Sequence, residues 1–356
     1  MEFQDILNMM IEMNVSDAFI RAGSPLKGRI ATEVVTIGEK KFSKSDIDKI
    51  VLEITDVRMK SLLQKNKSCE FSTWHKERWR FRIGIFWQRN TLCVVIRKID
   101  LALPSFQELN LPAAVLEKFC FQRRGLILLT GVTGSGKSTA IAAMIEFINR
   151  NFGKHILTIE EPIEFIFADK KSLINQREIG VDVASYADAL KQFAVHSPDI
   201  IYIGSITDEK TCHAALTAAE TGVLVLSTTH TVNASSTVER LVNFFSHEQH
   251  HFIFNQLSFL LRGVVSLRLI PRKDGQGLIP AYEVMTLSPT IAGLIRENKL
   301  WEMPKYMASG KIYGMNTFNQ CLVELVEAGK VSADVALEYS DKKDELEQEL
   351  RQKDII

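Results

Sequence analysis

One short segment constrains the fold of this chain more than any other. Residues 131–139 read Gly-Val-Thr-Gly-Ser-Gly-Lys-Ser-Thr and fit the pattern G-x-x-x-x-G-K-[ST]. A buried apolar run, 126–129, precedes the segment, and a helical run, 140–145, follows it. The pattern binds phosphate only where a strand leads through a glycine-rich turn into the start of a helix, so it predicts a parallel α/β core. With average residue usage, about one chain in a hundred of this length would contain such a match by chance.

The same segment predicts what the core binds. Successive backbone N–H groups of the turn point at phosphate oxygens, and the positive end of the following helix adds to their effect. Lys137 would neutralise the β- and γ-phosphates of ATP, and the Ser138 hydroxyl would be a ligand of Mg²⁺. The predicted cofactors are therefore ATP and Mg²⁺. The predicted phosphate-binding residues are Gly131, Thr133, Gly134, Ser135, Gly136, Lys137, Ser138 and Thr139.

Four short apolar runs, 126–129, 156–159, 200–203 and 224–226, indicate strands buried on both faces, as in a parallel sheet of βα units. Each run ends at polar or small residues. The carboxyl ends of such strands meet at one edge, so these four ends should line one site. From about residue 235 onward the pattern predicts mostly helix.

Three carboxylates and one histidine are the catalytic candidates at these ends. Glu160, Glu161 and Glu164 follow the second run, where carboxylates beside a phosphate loop can hold the water shell of magnesium or polarise an attacking water. His230 ends the fourth run and could sense the γ-phosphate. An acidic surface turn and a structural histidine are the alternative interpretations.

The pattern divides the chain into four parts. Residues 1–100 indicate a mixed α/β domain. Residues 101–111, which include Pro104, indicate a linker. Residues 112–340 hold the phosphate loop and the C-terminal helical part. Residues 341–356 indicate a charge-rich helix, with Glu347 and Arg351 spaced four residues apart, and we expect it to be a solvated or partly disordered tail.

Composition excludes several classes of function. The 43 basic and 43 acidic residues cancel, which argues against nucleic acid as a partner. No apolar run is long enough to cross a bilayer, so we expect no membrane insertion. The five cysteines are scattered without a metal-ligand spacing, which is typical of reduced thiols in a cytoplasmic protein.

The ordered series of motifs resembles the bacterial secretion and pilus ATPases, specifically the PilT/PilU group of pilus-retraction ATPases. The matching segments are the phosphate loop, 156–165 (the acidic box), 175–180, 197–204 (an atypical Walker B strand), 215–222, 228–230 and 294–297. The series covers nearly the whole chain. The segments 81–90 and 314–318 are more similar to PilU than to PilT.

This resemblance implies a RecA-like P-loop ATPase domain joined to an N-terminal PAS-like α+β domain, in a ring that is usually a hexamer. It implies nucleotide between the two domains, reached by arginines at the positions of Arg80, Arg82 and Arg97. It also implies a function in pilus retraction and twitching motility, at the cytoplasmic side of the inner membrane. The implied partners are a PilT-type paralogue and the inner-membrane platform protein of the pilus.

The chain departs from the family pattern where catalysis is expected. Family members have Gly-Glu-x-Arg-Asp after the Walker B strand, whereas this chain has Ser205 and Thr207 in place of the glutamate and the arginine. An upstream arginine and a histidine of the family are replaced by Val195 and Val223. A positioned general base contributes about 10²–10⁴-fold to a rate, and an arginine finger about 10³–10⁵-fold.

Three functions remain in competition. The first is an ATP-binding ring subunit of the retraction machinery whose intrinsic hydrolysis is weak, or absent as in an accessory subunit of an active PilT-type motor. The second is a fully active retraction ATPase that uses the acidic-box glutamates. The third, a nucleic-acid motor on a RecA-like core, is disfavoured by the zero net charge.

Overall fold

A computed structural model describes residues 2–30, 33–76, 79–99, 103–191 and 196–356. Within these ranges the chain forms two compact units. The N-terminal unit comprises Met1–Ala102 and Glu164–Ile166, and the C-terminal unit comprises Leu103–Ile163 and Phe167–Ile356.

The helices of the described residues are α1 (Phe3–Glu12), α2 (Lys44–Ile54), α3 (Val57–Asn66), α4 (Ala113–Cys120), α5 (Lys137–Asn151), α6 (Tyr186–Lys191), α7 (Glu209–Glu220), α8 (Ala234–Val242), α9 (His250–Leu260), α10 (Pro289–Arg296), α11 (Met303–Ala308), α12 (Phe318–Glu327), α13 (Ala333–Tyr339) and α14 (Lys343–Gln352). The strands are β1 (Asp17–Arg21), β2 (Pro25–Ile30), β3 (Glu33–Lys41), β4 (Ser68–His75), β5 (Trp79–Gln88), β6 (Thr91–Ile99), β7 (Gly125–Thr130), β8 (His155–Glu160), β9 (Leu173–Glu178), β10 (Ile200–Ile203), β11 (Leu224–Thr229), β12 (Leu261–Pro271) and β13 (Leu278–Thr286).

The N-terminal unit is an antiparallel sheet in the order β3-β2-β1-β6-β5-β4 with helices on one face. Its core is formed by apolar residues of α1, α2 and α3 together with alternate residues of the strands, such as Phe81, Ile83 and Ile85 on β5. The residues between them, Arg82 and Gly84, lie on the other face, as the alternating sequence predicts.

The C-terminal unit contains a seven-stranded sheet in the order β13-β12-β7-β11-β10-β8-β9. The four strands that the apolar runs predicted are adjacent and parallel at its centre. Their side chains are almost all buried, because helices cover both faces of a parallel sheet. The four carboxyl ends therefore lie at one edge, as the sequence indicated.

The prediction that the chain is mostly helical after residue 235 is wrong for two segments. β12 pairs in parallel with the phosphate-loop strand β7, and β13 pairs antiparallel with β12. Short apolar runs do not distinguish a buried strand from a buried helix, and the partner β7 is distant along the chain.

The charge-rich segment 341–356 is likewise not a solvated tail. It contains the helix α14, in which Leu346 and Leu350 are fully buried. These two leucines pack in a cluster with residues of α12, α13, β12 and β13. Spaced four residues apart, they form one narrow apolar stripe on a helix whose other positions are charged or polar.

Candidate nucleotide site

The phosphate loop connects β7 to α5 in the geometry that its glycines require. Gly131, Gly134 and Gly136 all have positive φ angles, of 143°, 80° and 91°. A Cβ on Gly131 would lie 2.5 Å from the carbonyl oxygen of Leu267 on β12, so the close packing of the loop against that strand needs a glycine. Gly136 is the N-cap of α5 and turns the chain directly into the helix.

The side chains of the loop differ in exposure. Lys137 is buried, and its Nζ donates hydrogen bonds to the carbonyl oxygens of Gly131 (2.7 Å) and Val132 (2.8 Å). Thr133 is exposed, whereas Ser138 and Thr139 are half-buried in the first turn of α5. The Ser135 hydroxyl is buried and forms no hydrogen bond within the described residues. The loop therefore presents its backbone and an ammonium group at the edge of the sheet.

The histidine at the end of β11 belongs to the same edge. Partial burial lowers the pKa of His230, and the positive charge of nearby Lys137 lowers it further. The loop after His230 leads into α8, whose first N–H, that of Ala234, donates to Oε1 of Glu283 on β13 (2.9 Å). Burial raises the pKa of Glu283 to about 7. The sequence contained no signal for this carboxyl.

The three carboxylates of the acidic box differ in their local environments. Glu160 is buried at the end of β8 and accepts hydrogen bonds from Thr158 (2.6 Å) and Gln176 (3.2 Å). Glu161 is exposed next to it, and Glu164 belongs to the N-terminal unit. Thr158, two residues before Glu160 on the same strand face, could have been identified from the period of a strand.

The end of β10 is held against both of its neighbours. The Gly204 N–H donates to the carbonyl oxygen of Ile159 on β8 (N···O 2.8 Å). The Ile206 N–H donates to the carbonyl oxygen of Thr228 on β11 (N···O 2.9 Å). Ser205, between them, is half-buried, and its hydroxyl lies 3.5 Å from the Thr228 carbonyl oxygen. Residue 205 is therefore located at the carboxyl edge between the β8 and β11 ends.

A tyrosine that sequence reasoning missed also lies here. A Cβ on Gly204 would be 2.8 Å from the hydroxyl of Tyr186, at the start of α6, and 3.5 Å from the Cα of Glu160. Burial raises the pKa of Tyr186, and the negative charges of Glu161 and Glu160 raise it further, so its hydroxyl remains a hydrogen-bond donor. Tyr186 and Glu161 line a groove of about 1260 Å³ between α6 and α7.

The three arginine candidates lie in the N-terminal unit. Arg80 is buried on β5, and Arg82 and Arg97 are register partners on β5 and β6. Arg82 pairs with Glu70, and Arg97 Nε lies 2.7 Å from Asp17 Oδ1. Of the positions that depart from the family pattern, Val195 lies outside the described residues.

A strand, a glycine-rich loop and a helix N-terminus arranged in this way define a P-loop nucleotide-binding protein of the parallel α/β class. The family model described as type II/IV secretion system protein matches residues 65–352. The chain is 35% identical to the type IV pilus ATPase PilU of Pseudomonas aeruginosa over 97% of its own length and 90% of that protein. It is 36% identical to the type IV pilus retraction ATPase PilT of the same organism over 95% of its own length and 98% of that protein.

A crystal structure of the pilus retraction motor PilT with bound ADP superposes with a TM-score of 0.91 at 38% identity, covering 98% of this chain and 99% of that one. The chain belongs to the PilT/PilU group of the type II/IV secretion ATPase family. The fold class and the family that the motifs predicted are thereby confirmed. No helix of the described residues is long and apolar enough to cross a membrane.

Proposed function

We propose that this chain is an ATP-binding ring subunit of the type IV pilus retraction machinery, and that it hydrolyses ATP only slowly when alone. One observation carries the proposal. The phosphate loop is complete, whereas the end of β10 next to Glu160 carries Ser205, where members of the family have a glutamate.

The loop supports binding of ATP. The left-handed glycines allow backbone N–H groups to converge on phosphate oxygens, and Lys137 supplies a positive charge that is already buried in the loop. Ser138, in the first turn of α5, would hold Mg²⁺, which neutralises charge on the phosphates when bound. Neither contribution depends on the end of β10.

The end of β10 supports weak turnover. The Ser205 hydroxyl can orient a water molecule, but it cannot accept a proton at neutral pH and is a poor general base. Thr207 is exposed and uncharged, so it supplies no positive charge to a transition state. Loss of both groups would remove on the order of 7–12 kcal/mol of transition-state stabilisation if their contributions were additive, which is rare.

Full activity through the acidic box is the competing function. Glu160 is near enough to residue 205 to be considered as the base, together with the exposed Glu161. Oε1 of Glu160, however, already accepts hydrogen bonds from Thr158 and Gln176. The retained carboxylates support a site that has not decayed completely.

The assembly part of the proposal follows from the chain's place in the PilT/PilU group. The proposed state is a hexameric ring in the cytoplasm, peripheral at the inner-membrane platform of the pilus and beside a PilT-type paralogue. The proposed role of Arg80, Arg82 and Arg97 is to close the N-terminal domain over nucleotide. Arg82 and Arg97 would exchange part of their pairing with Glu70 and Asp17 for phosphate oxygens.

Phosphate release by the purified chain, alone and with a PilT-type partner, tests this function. We expect little release by the chain alone and light scattering that detects a ring in the presence of an ATP analogue. A matched sample of the PilT-type partner provides the rate of an ordinary family member. Equal rates for the two proteins would reject slow turnover, and a monomer at micromolar concentration with the analogue would reject the ring.

A further inference from the structure

A second polar pocket, separate from the phosphate loop, lies within the N-terminal unit. It has a volume of about 340 Å³ and is lined by the loop between β1 and β2 and by the turn between β5 and β6. The side chains that line it and can bind a ligand are Arg21, Ser24, Gln88, Arg89, Thr91 and Cys93. The nucleotide site proposed above uses none of them.

The fold holds the two walls of this pocket in a defined geometry. β1 pairs with β6, and Arg21 at the end of β1 is the register partner of Cys93 on β6. Arg89 and Asn90 form the β5–β6 turn with φ angles of 48° and 59°, as a two-residue hairpin turn requires. Thr91 stiffens the turn, because its hydroxyl donates to the carbonyl oxygen of Gln88 (2.9 Å).

The lining is rich in hydrogen-bond donors, and none of its described residues carries a carboxylate. Among the residues that the structure describes, neither Arg21 nor Arg89 forms an ion pair. Ser24, on the β1–β2 loop, is 6% exposed and adds a hydroxyl to the lining. Arg21 and Arg89 are exposed at the mouth of the pocket, so two guanidinium groups without an ion-pair partner in that part of the chain face it together with neutral donors. Positive charge with several hydrogen-bond donors favours an anionic ligand, because hydrogen bonds to a charged acceptor are the stronger ones.

We propose that this pocket binds the phosphate group of a small ligand. Arginine presents a planar fork of donors that matches phosphate oxygens, and two such forks with a hydroxyl and an amide exceed what one carboxylate can accept. The volume of about 340 Å³ is at the lower end of the range for small-molecule sites, so the pocket has room for a phosphate group together with a small part of the ligand that carries it.

Cys93 provides a local readout of binding. It is the pocket's own thiol and is 6% exposed; burial raises its pKa, and the charge of Arg21 partly offsets this. The experiment uses the full chain with Lys137→Ala, to remove binding at the phosphate loop, and pyrophosphate as the probe. Alkylation of Cys93 is followed by peptide mass spectrometry, which separates it from the other four cysteines. Calorimetry measures affinity on the same samples.

We expect pyrophosphate to slow the alkylation of Cys93, and Arg21→Ala or Arg89→Ala to weaken binding at least about tenfold each. Arg58→Ala, an exposed arginine on α3 outside the pocket, is the matched control and should change nothing. Vesicles containing an anionic phospholipid form a second arm. Protection of Cys93 by these vesicles, lost in both pocket variants, would support the site with a lipid phosphate as its ligand. Absence of protection by either probe, or equal protection in the pocket variants, would overturn the proposal.

Discussion

The ends of β7 and β10 lie at the same edge of the seven-stranded sheet, with β11 between them, yet they differ in how many residues of the family pattern they carry. The β7 end carries a complete phosphate loop with Lys137 buried in it. The β10 end keeps its backbone contacts to β8 and β11 but carries Ser205 and Thr207. Under our proposal, nucleotide binding and nucleotide cleavage depend on separate strand ends, and one can be lost without the other.

The physical basis of this difference is the type of group involved. Phosphate binding at the β7 end uses mainly backbone N–H groups, whose direction is set by glycine conformation and by the start of α5. Activation of water at the β10 end requires a side chain of suitable basicity at one position. A single substitution can remove the second function while leaving the strand and its neighbours in place.

The largest expected effect comes from restoring the β10 end. Ser205→Glu supplies a base, and we expect phosphate release to rise by up to about 10²–10⁴-fold if the missing arginines are dispensable. Ser205→Glu with Thr207→Arg should raise the rate further, though less than additively. Ser205→Gln, similar in size but unable to accept a proton, is the control. A rate for Ser205→Gln equal to that of Ser205→Glu would contradict the assignment of residue 205.

A smaller effect is expected from damaging the β7 end. Lys137→Ala removes the buried ammonium, and we expect affinity for ATP·Mg²⁺ to fall by about 100-fold, as for loss of a charged hydrogen bond of about 3 kcal/mol. Calorimetry measures this affinity directly. Lys154→Ala removes an exposed lysine paired with Asp199 and should leave the affinity unchanged. Unchanged affinity in Lys137→Ala itself would count against the nucleotide site.

The smallest expected effect is on the free energy of unfolding and concerns Glu283. Its carboxylate accepts a hydrogen bond from the first N–H of α8, the helix that follows the β11 end. Burial raises its pKa from 4.5 to about 7, so its contribution to stability is complete below pH 4.5 and is lost as the pH rises through 7. Between about pH 6 and pH 8 we expect the free energy of unfolding to fall by about 1 kcal/mol through this group. Glu283→Gln retains an acceptor for the Ala234 N–H but cannot ionise, and should lose this dependence.

Urea unfolding of wild type and Glu283→Gln at the two pH values measures that difference. Glu239→Gln, at an exposed position on α8, should behave as wild type at both. Identical pH profiles for wild type and Glu283→Gln would mean that Glu283 does not titrate in this range. Glu283 would then make no contribution to the pH dependence of stability between these two pH values.

The parts of the molecule that the sequence predicted share a local signal. The phosphate loop and the four central strands follow from glycine spacing and from apolar runs bounded by polar residues. Glu160, Ser205 and His230 were located at one edge by the topology of a parallel sheet alone. The strand β12 and the burial of α14 were missed, because a continuous apolar run and a pair of leucines in a charged segment each fit more than one structure.

Residue identity was sufficient to specify the phosphate loop, the chain's family and the presence of Ser205 and Thr207 after β10, because these depend on a few positions in fixed order. Tertiary structure alone decided that β12 lies beside β7, that Tyr186 reaches Gly204, and that Glu283 is buried against the start of α8. These contacts join segments distant along the chain, and a side chain's protonation depends on burial and neighbouring charge, which no local pattern records.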